Sequence, residues 1–218
     1  MKAFEKWLAN TPHAVTLFVI ADLFESDGFS EWFTALLAKH GERLTVGCHG
    51  LTHRSWSAWP EDREGFEASL KQATAVLKEK AGGHFRPWFR APAGYIAPWM
   101  ATTLAGQGYT VDSSVNPSWL VRKKAGKGNS WADVNDAMAQ QGVLERPWAT
   151  RFSLPVNGPA LTKFPLSVIA RGVWKKAPSV LTGSELDAAV PDSTQPLVTL
   201  YWHVLDHSRN KKTWTPPL

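Results

Sequence analysis

Leu44-Thr45-Val46-Gly47-Cys48-His49-Gly50-Leu51-Thr52-His53 reads as a short strand that runs out into a turn carrying two histidines. Leu44 to Cys48 is compact, apolar and too short for a helix, as expected of a buried strand. His49 and His53 are four residues apart, a spacing that puts both rings on one side of a tight loop or a helical turn. Neutral imidazole is the commonest zinc ligand, and two from one segment need one or two further ligands to complete a site. Such pairs also arise by chance. What singles this one out is its place at the end of a strand, beside Gly47 and Gly50. The neighbouring Cys48 would point to the opposite face of the strand, so it reads as a buried structural thiol and not as a ligand.

Upstream, residues 3 to 10 are predicted as a short helix broken at Thr11-Pro12. Val15 to Ala21 is a continuous apolar run rich in β-branched residues, as in a strand buried on both faces. Ser30 to His40 carries a helical stripe of Trp32, Phe33, Leu36 and Leu37, stopped by Gly41. Downstream, Pro60 to Ala81 is a long amphipathic helix ended by Gly82-Gly83. Trp88-Phe89-Arg90 is a strand running into the turn Ala91-Pro92-Ala93-Gly94, Pro98 to Gln107 a helix, and Tyr109-Thr110-Val111 a strand leading into Asp112-Ser113-Ser114.

Strand and helix in alternation with short connections imply parallel strands and right-handed crossovers. A barrel and an open doubly wound sheet both satisfy that pattern, and both gather their sites at the C-terminal ends of the strands. His49, His53, Arg90 and Asp112 each follow a predicted strand and should converge on one face. The second half is less regular. Trp119 to Gln140 is a surface excursion with one short helix, Val143 to Pro147 a strand, and Phe152 to Leu166 a loop. A late strand over Leu197 to Trp202 ends at His203, and Lys211 to Leu218 carries no readable element. No repeat or linker divides the 218 residues, so a single domain over 1–218 is expected.

Composition narrows the partners. The net charge of +5 raises nucleic acid, but the basic residues are dispersed and no nucleic-acid motif accompanies them, so none is expected. Twelve tryptophans supply core packing and surfaces that stack on rings such as sugars. With one cysteine there is no intrachain disulfide. No apolar stretch reaches a membrane span, and the start lacks the apolar region of a signal peptide, which makes cytoplasmic the default location. Oligomeric state is left open.

Gly47 to His53 resembles the second motif of the polysaccharide deacetylase family, also called the NodB-homology group or carbohydrate esterase family 4. Phe89-Arg90-Ala91-Pro92-Ala93-Gly94-Tyr95 is similar to its third motif, and Leu200-Tyr201-Trp202-His203 to its fifth. Gly108 to Ser114 resembles the segment that follows the third motif. The order and spacing agree over nearly the whole chain.

The resemblance implies an α/β fold, a deformed (β/α) barrel, and removal of N-acetyl groups from amino sugars of a polysaccharide or glycan-lipid. It implies one divalent metal, zinc or else cobalt or nickel, held by His49 and His53. His203 matches the general acid, Arg90 the residue that orients the base, and Asp112 is implied to pair with His203. The Ala93 N–H stands where the oxyanion would be received, with Gly94, Tyr95 and Trp202 of the same motifs expected at the N-acetylated glycan.

One departure stands out. The family's first motif, a strand ending in two aspartates that supply the base and the third metal ligand, is expected roughly 25 to 30 residues before Val15. The chain begins too late to contain it: either its start is misplaced or truncated, or the protein has lost its first strand and base, and the barrel is expected to lack its first strand. Asp22 is the nearby carboxylate that would take the third metal position, although it reads first as a helix N-cap or loop carboxylate. The alternative function is a catalytically silent barrel that binds glycan without turnover.

Overall fold

The computed structural model describes residues 1–177, 199–211 and 214–218. It begins with helix α1 (Lys2–Ala9) and then repeats one unit, strand followed by helix. The units are β1 (Val15–Val19) and α2 (Asp27–His40), β2 (Leu44–Cys48) and α3 (Arg63–Ala81), β3 (Phe85–Phe89) and α4 (Met100–Gly106), and β4 (Val111–Asp112) and α5 (Trp131–Gln140). Strand β5 (Leu144–Glu145) follows, then a two-stranded hairpin β6 (Thr150–Arg151) and β7 (Leu154–Pro155), and helix α6 (Leu166–Trp174).

Strands β1 to β5 form one sheet in sequence order, every neighbouring pair parallel. That order separates the two architectures left open by the sequence. Right-handed crossovers that always advance in one direction put every helix on the same face of the sheet, whereas a doubly wound sheet reverses its order and is covered on both faces. The arrangement is therefore the singly wound, barrel-like one. Past β5 the sheet continues as a parallel bridge between Trp148 and Thr199. Among the described residues nothing pairs with the outer edge of β1.

Alternation along the strands sorts the side chains. Leu17, Val19, Leu44, Val46, Cys48 and Phe89 face the helices and share one buried core with Phe33, Leu36, Phe66, Leu70, Leu77 and Leu104. Thr16, Phe18, Thr45, Trp88, Arg90, Val111, Ser113 and Trp148 face the other way and line a cavity of about 810 Å³. Gly47 belongs to this inner face because a Cβ there would sit 2.7 Å from the Phe18 ring. A second apolar cluster (Ala149, Val156, Leu161, Ala170, Trp174) meets the first through Trp202.

Several boundaries differ from the sequence reading. The excursion after Trp119 holds a 3-10 helix (Trp119–Ala125) and α5, whose start is fixed by a capping box between Ser130 and Asp133. Residues 152–166, expected as plain loop, contain β7 and a 3-10 turn, and α6 begins at their end. Of the strand expected over Leu197 to Trp202, residues 197 and 198 lie outside the described residues. Thr199 makes the bridge, and 200–203 run on without strand pairing. No helix among the described residues is long and apolar enough to cross a membrane.

Candidate functional site

The cavity's rim is built at the C-terminal ends of β2 and β3. His49 follows β2 directly, and its backbone N–H donates to the Val19 carbonyl at 2.8 Å, which extends the sheet by one residue. Its Nδ1 lies 2.7 Å from the Arg90 carbonyl. A carbonyl can only accept, so Nδ1 carries the proton and Nε2 keeps a bare lone pair. Burial pushes the His49 pKa down to about 3, with the charges of Arg90, His53 and His203 acting the same way and the Arg90 carbonyl opposing them. The ring is therefore neutral at physiological pH. His53, on the exposed turn, brings its ring centroid to 5.3 Å from that of His49 in an edge-on arrangement.

Arg90 follows β3 and is 8% exposed. Its Nε donates to the Ser113 carbonyl at 3.0 Å and Nη2 to Ser113 Oγ at 3.1 Å. The same carbonyl accepts the Trp148 indole N–H at 2.7 Å, so Ser113 ties β3, β4 and the segment after β5 together. Around the guanidinium carbon stand the rings of Phe18 at 4.4 Å, Tyr201 at 5.1 Å and Trp148 at 5.6 Å.

The turn after β3 places Ala93 at φ 53° and Gly94 at φ 71°, both left-handed. Gly94 is required there, since a Cβ would come 2.8 Å from the Trp148 ring. Among the described residues the Ala93 N–H has no acceptor, while its carbonyl takes the Lys124 ammonium at 2.6 Å. His203, exposed at the rim, has Asp206 as its partner. Asp206 Oδ2 accepts the His203 backbone N–H at 3.0 Å and lies 3.3 Å from Nδ1.

His49, His53, Arg90, Ala93, Gly94, Trp202 and His203 all line the one cavity. The remaining candidates are placed elsewhere. Asp112 shares the outer face with Phe89 and Glu145 because it pairs in register with both. It accepts Ser114 Oγ at 2.6 Å, so the implied pairing with His203 is replaced by Asp206. Asp22 is the second residue of a 3-10 helix (Ala21–Glu25), where its backbone N–H is bonded to the Leu51 carbonyl, and it is not on the cavity wall. Tyr95 lies beside the cavity under the Lys124 ammonium, 5.3 Å from its ring centroid. Trp202 reaches the wall but spends its indole N–H on His207 Nε2 at 2.8 Å and packs on Trp7 and Trp174.

The nitrogen pair suits a divalent metal, since His49 offers a bare Nε2 with its other nitrogen fixed by a carbonyl. Among the described residues no group of three His, Cys, Asp or Glu forms, so the donor set amounts to two imidazoles. Sequence reasoning missed Phe18, Lys124 and Trp148. Strand alternation from Arg90 and Ser113 would have found Trp148, but nothing local marks Lys124.

No family model and no curated protein matches the chain. Among solved structures, one described as a polysaccharide deacetylase from Mycobacterium smegmatis superposes at 19% identity with a TM-score of 0.52. The match covers 93% of this chain and 62% of that one, so the chain spans under two thirds of its relative's length. IcaB from Ammonifex degensii matches at 25% identity and a TM-score of 0.43, over 51% of this chain and 52% of its own. A family 4 carbohydrate esterase from Streptomyces lividans in complex with acetate matches at 10% identity and a TM-score of 0.44, over 92% and 90%. The first likeness establishes the fold: the chain has the parallel α/β architecture of the polysaccharide deacetylases.

Proposed function

We propose that the chain is a metal-dependent deacetylase that hydrolyses the N-acetyl amide of an amino sugar in a polysaccharide or glycan-lipid. The observation that carries this reading is His49, held neutral with Nε2 bare, beside His53 in a cavity whose rim also presents His203 and the Ala93 N–H. His49 and His53 would hold zinc, or cobalt or nickel. When bound, such a metal polarises an amide carbonyl and lowers the pKa of a coordinated water.

The chain's own residues supply the contacts to the carbonyl oxygen and the leaving amine. The Ala93 N–H, kept free by the left-handed turn, receives the negative charge that develops on the carbonyl oxygen. His203, steadied by Asp206, delivers a proton to the leaving amine. No Asp or Glu lines the cavity among the described residues to take the water's proton, so Arg90 is given no part in that transfer. The aromatic walls limit solvent around the amide.

Acetate release from an N-acetylglucosamine oligomer in the presence of zinc is the test. Release that His49→Ala and His203→Ala abolish supports the enzyme. No release with zinc, cobalt or nickel sinks it. A second reading, a barrel that binds glycan without cleaving it, is favoured by one observation: no carboxylate joins the two histidines among the described residues. Binding of the oligomer with no acetate formed would support that reading.

A further inference from the structure

We propose that the cavity seats a carboxylate of its ligand against Arg90 Nη1, with Lys124 drawing it in from the rim, so that the ligand class is an acidic sugar. The inference rests on the cavity being the ligand site of the proposed function, and it concerns binding alone.

The charge lining the cavity points one way. Arg90, Lys124 and Arg146 line it together with His13, His49, His53 and His203, and no Asp or Glu side chain lines it among the described residues. Arg90 has two of its three nitrogens committed to Ser113, while Nη1 makes no hydrogen bond to a described residue. The three rings around the guanidinium favour its charge but offer no acceptor in its plane. A largely buried cation with an uncommitted donor costs free energy that an anion would offset.

The carboxyl groups behind Arg90 do not fill this role. Asp112 and Glu145 sit on the opposite face of the sheet, and burial pushes both pKa values up, with the Asp112 charge raising Glu145 further. The pair retains a proton and faces the helices. Lys124 lies at the mouth, where its contacts are the Ala93 carbonyl and the Tyr95 ring, neither of which neutralises it.

A guanidinium edge pairs with carboxylate and phosphate alike, so the choice between them rests on desolvation. A phosphate dianion loses more hydration on passing between Phe18, Tyr201 and Trp148. A bound divalent metal would add positive charge to the same cavity and strengthen the preference for an anionic ligand.

The test uses the full chain, prepared metal-free with neutral phenanthroline followed by dialysis, and then again with zinc. Trp148 and Trp88 on the wall report binding by fluorescence, checked by calorimetry. Glucuronate and acetate should bind at one site in competition, while N-acetylglucosamine and inorganic phosphate bind more weakly. Arg90→Gln should weaken glucuronate by about tenfold or more, and Lys124→Met, at the rim, by about threefold.

Failure of both carboxylates to bind overturns the proposal, as does binding that both variants leave unchanged. Phosphate competing as strongly as glucuronate overturns the carboxylate assignment. Carboxylate binding without zinc uptake or acetate release would sink the enzyme and leave this site standing. Acetate release without carboxylate binding would do the reverse.

Discussion

Asp206 Oδ2 accepts the backbone N–H of His203 at 3.0 Å and faces the Nδ1 of the same residue at 3.3 Å. One carboxylate thus fixes both the chain and the ring of the proposed general acid. Asp206 is 8% exposed, whereas the His203 side chain stands out into the rim. Asp206→Asn keeps the backbone bond and weakens the ring contact. It should lower kcat for acetate release by about tenfold to a hundredfold, a fraction of the loss in His203→Ala, with KM little changed. A fall in KM-determined binding with kcat intact would show that Asp206 does not act through His203.

Zinc should bind one ion per chain. His49→Ala and His53→Ala should each weaken it by at least about a hundredfold, since even residues that merely support a ligand cost tenfold to a hundredfold. Titration calorimetry with elemental analysis checks both numbers. With two imidazoles as the protein's donor set among the described residues, weak or absent uptake in the wild type would refute the metal site.

Much of this was legible in the sequence because strand ends are marked locally. Short apolar runs stop at His49, Arg90 and His203, and all three line one cavity. Asp112 lies away from that cavity for a geometric reason. It also ends a strand, but the parity of the register turns its side chain to the helix face with Phe89. A shift of one residue decides between cavity and core. Lys124 was not legible, since it reaches Ala93 across 31 positions from a 3-10 helix with no periodic signal. Helix α6 was hidden by the Pro- and Gly-containing stretch before it, although Leu166, Ile169, Ala170 and Val173 carry its stripe.

His207 should make the fold acid-sensitive. It is 1% exposed, ringed by Phe4, Trp7, Trp202 and Trp214, and accepts the Trp202 indole N–H on Nε2. Burial is the main cause that lowers its pKa to about 4 from 6.5. The unfolded chain then binds more protons between those values, so stability falls as pH drops from 6.5 towards 4, by at most about tenfold in the folding equilibrium per unit. Urea midpoints across that range measure the slope, which His207→Gln should reduce. An unchanged slope in the variant would remove His207 as the cause.

The Asp112–Glu145 pair predicts the opposite sign. Both carboxyls are buried, with Asp112 accepting two bonds from Ser114 and Glu145 Oε1 one from the Val115 N–H. Desolvation is the first cause of the rise at both, and at Glu145 the Asp112 charge adds to it. Glu145 therefore keeps its proton in the folded state at a pH where the unfolded chain has released it. The folded chain binds more protons above the ordinary carboxyl range, so this contribution to stability is lost as pH rises. Glu145→Gln presents a neutral amide of the same shape and has nothing to ionise. Its stability relative to the wild type should improve between pH 5 and pH 8, read from urea midpoints at the two values. Glu145→Ala should instead cost about 2 to 3 kcal/mol, because it leaves a cavity and strips the Asp112 carboxylate of its neighbour. A Glu145→Gln variant that loses ground to the wild type as pH rises would mean that Glu145 is ionised in the fold, and with it the proton shared behind Arg90 would be gone.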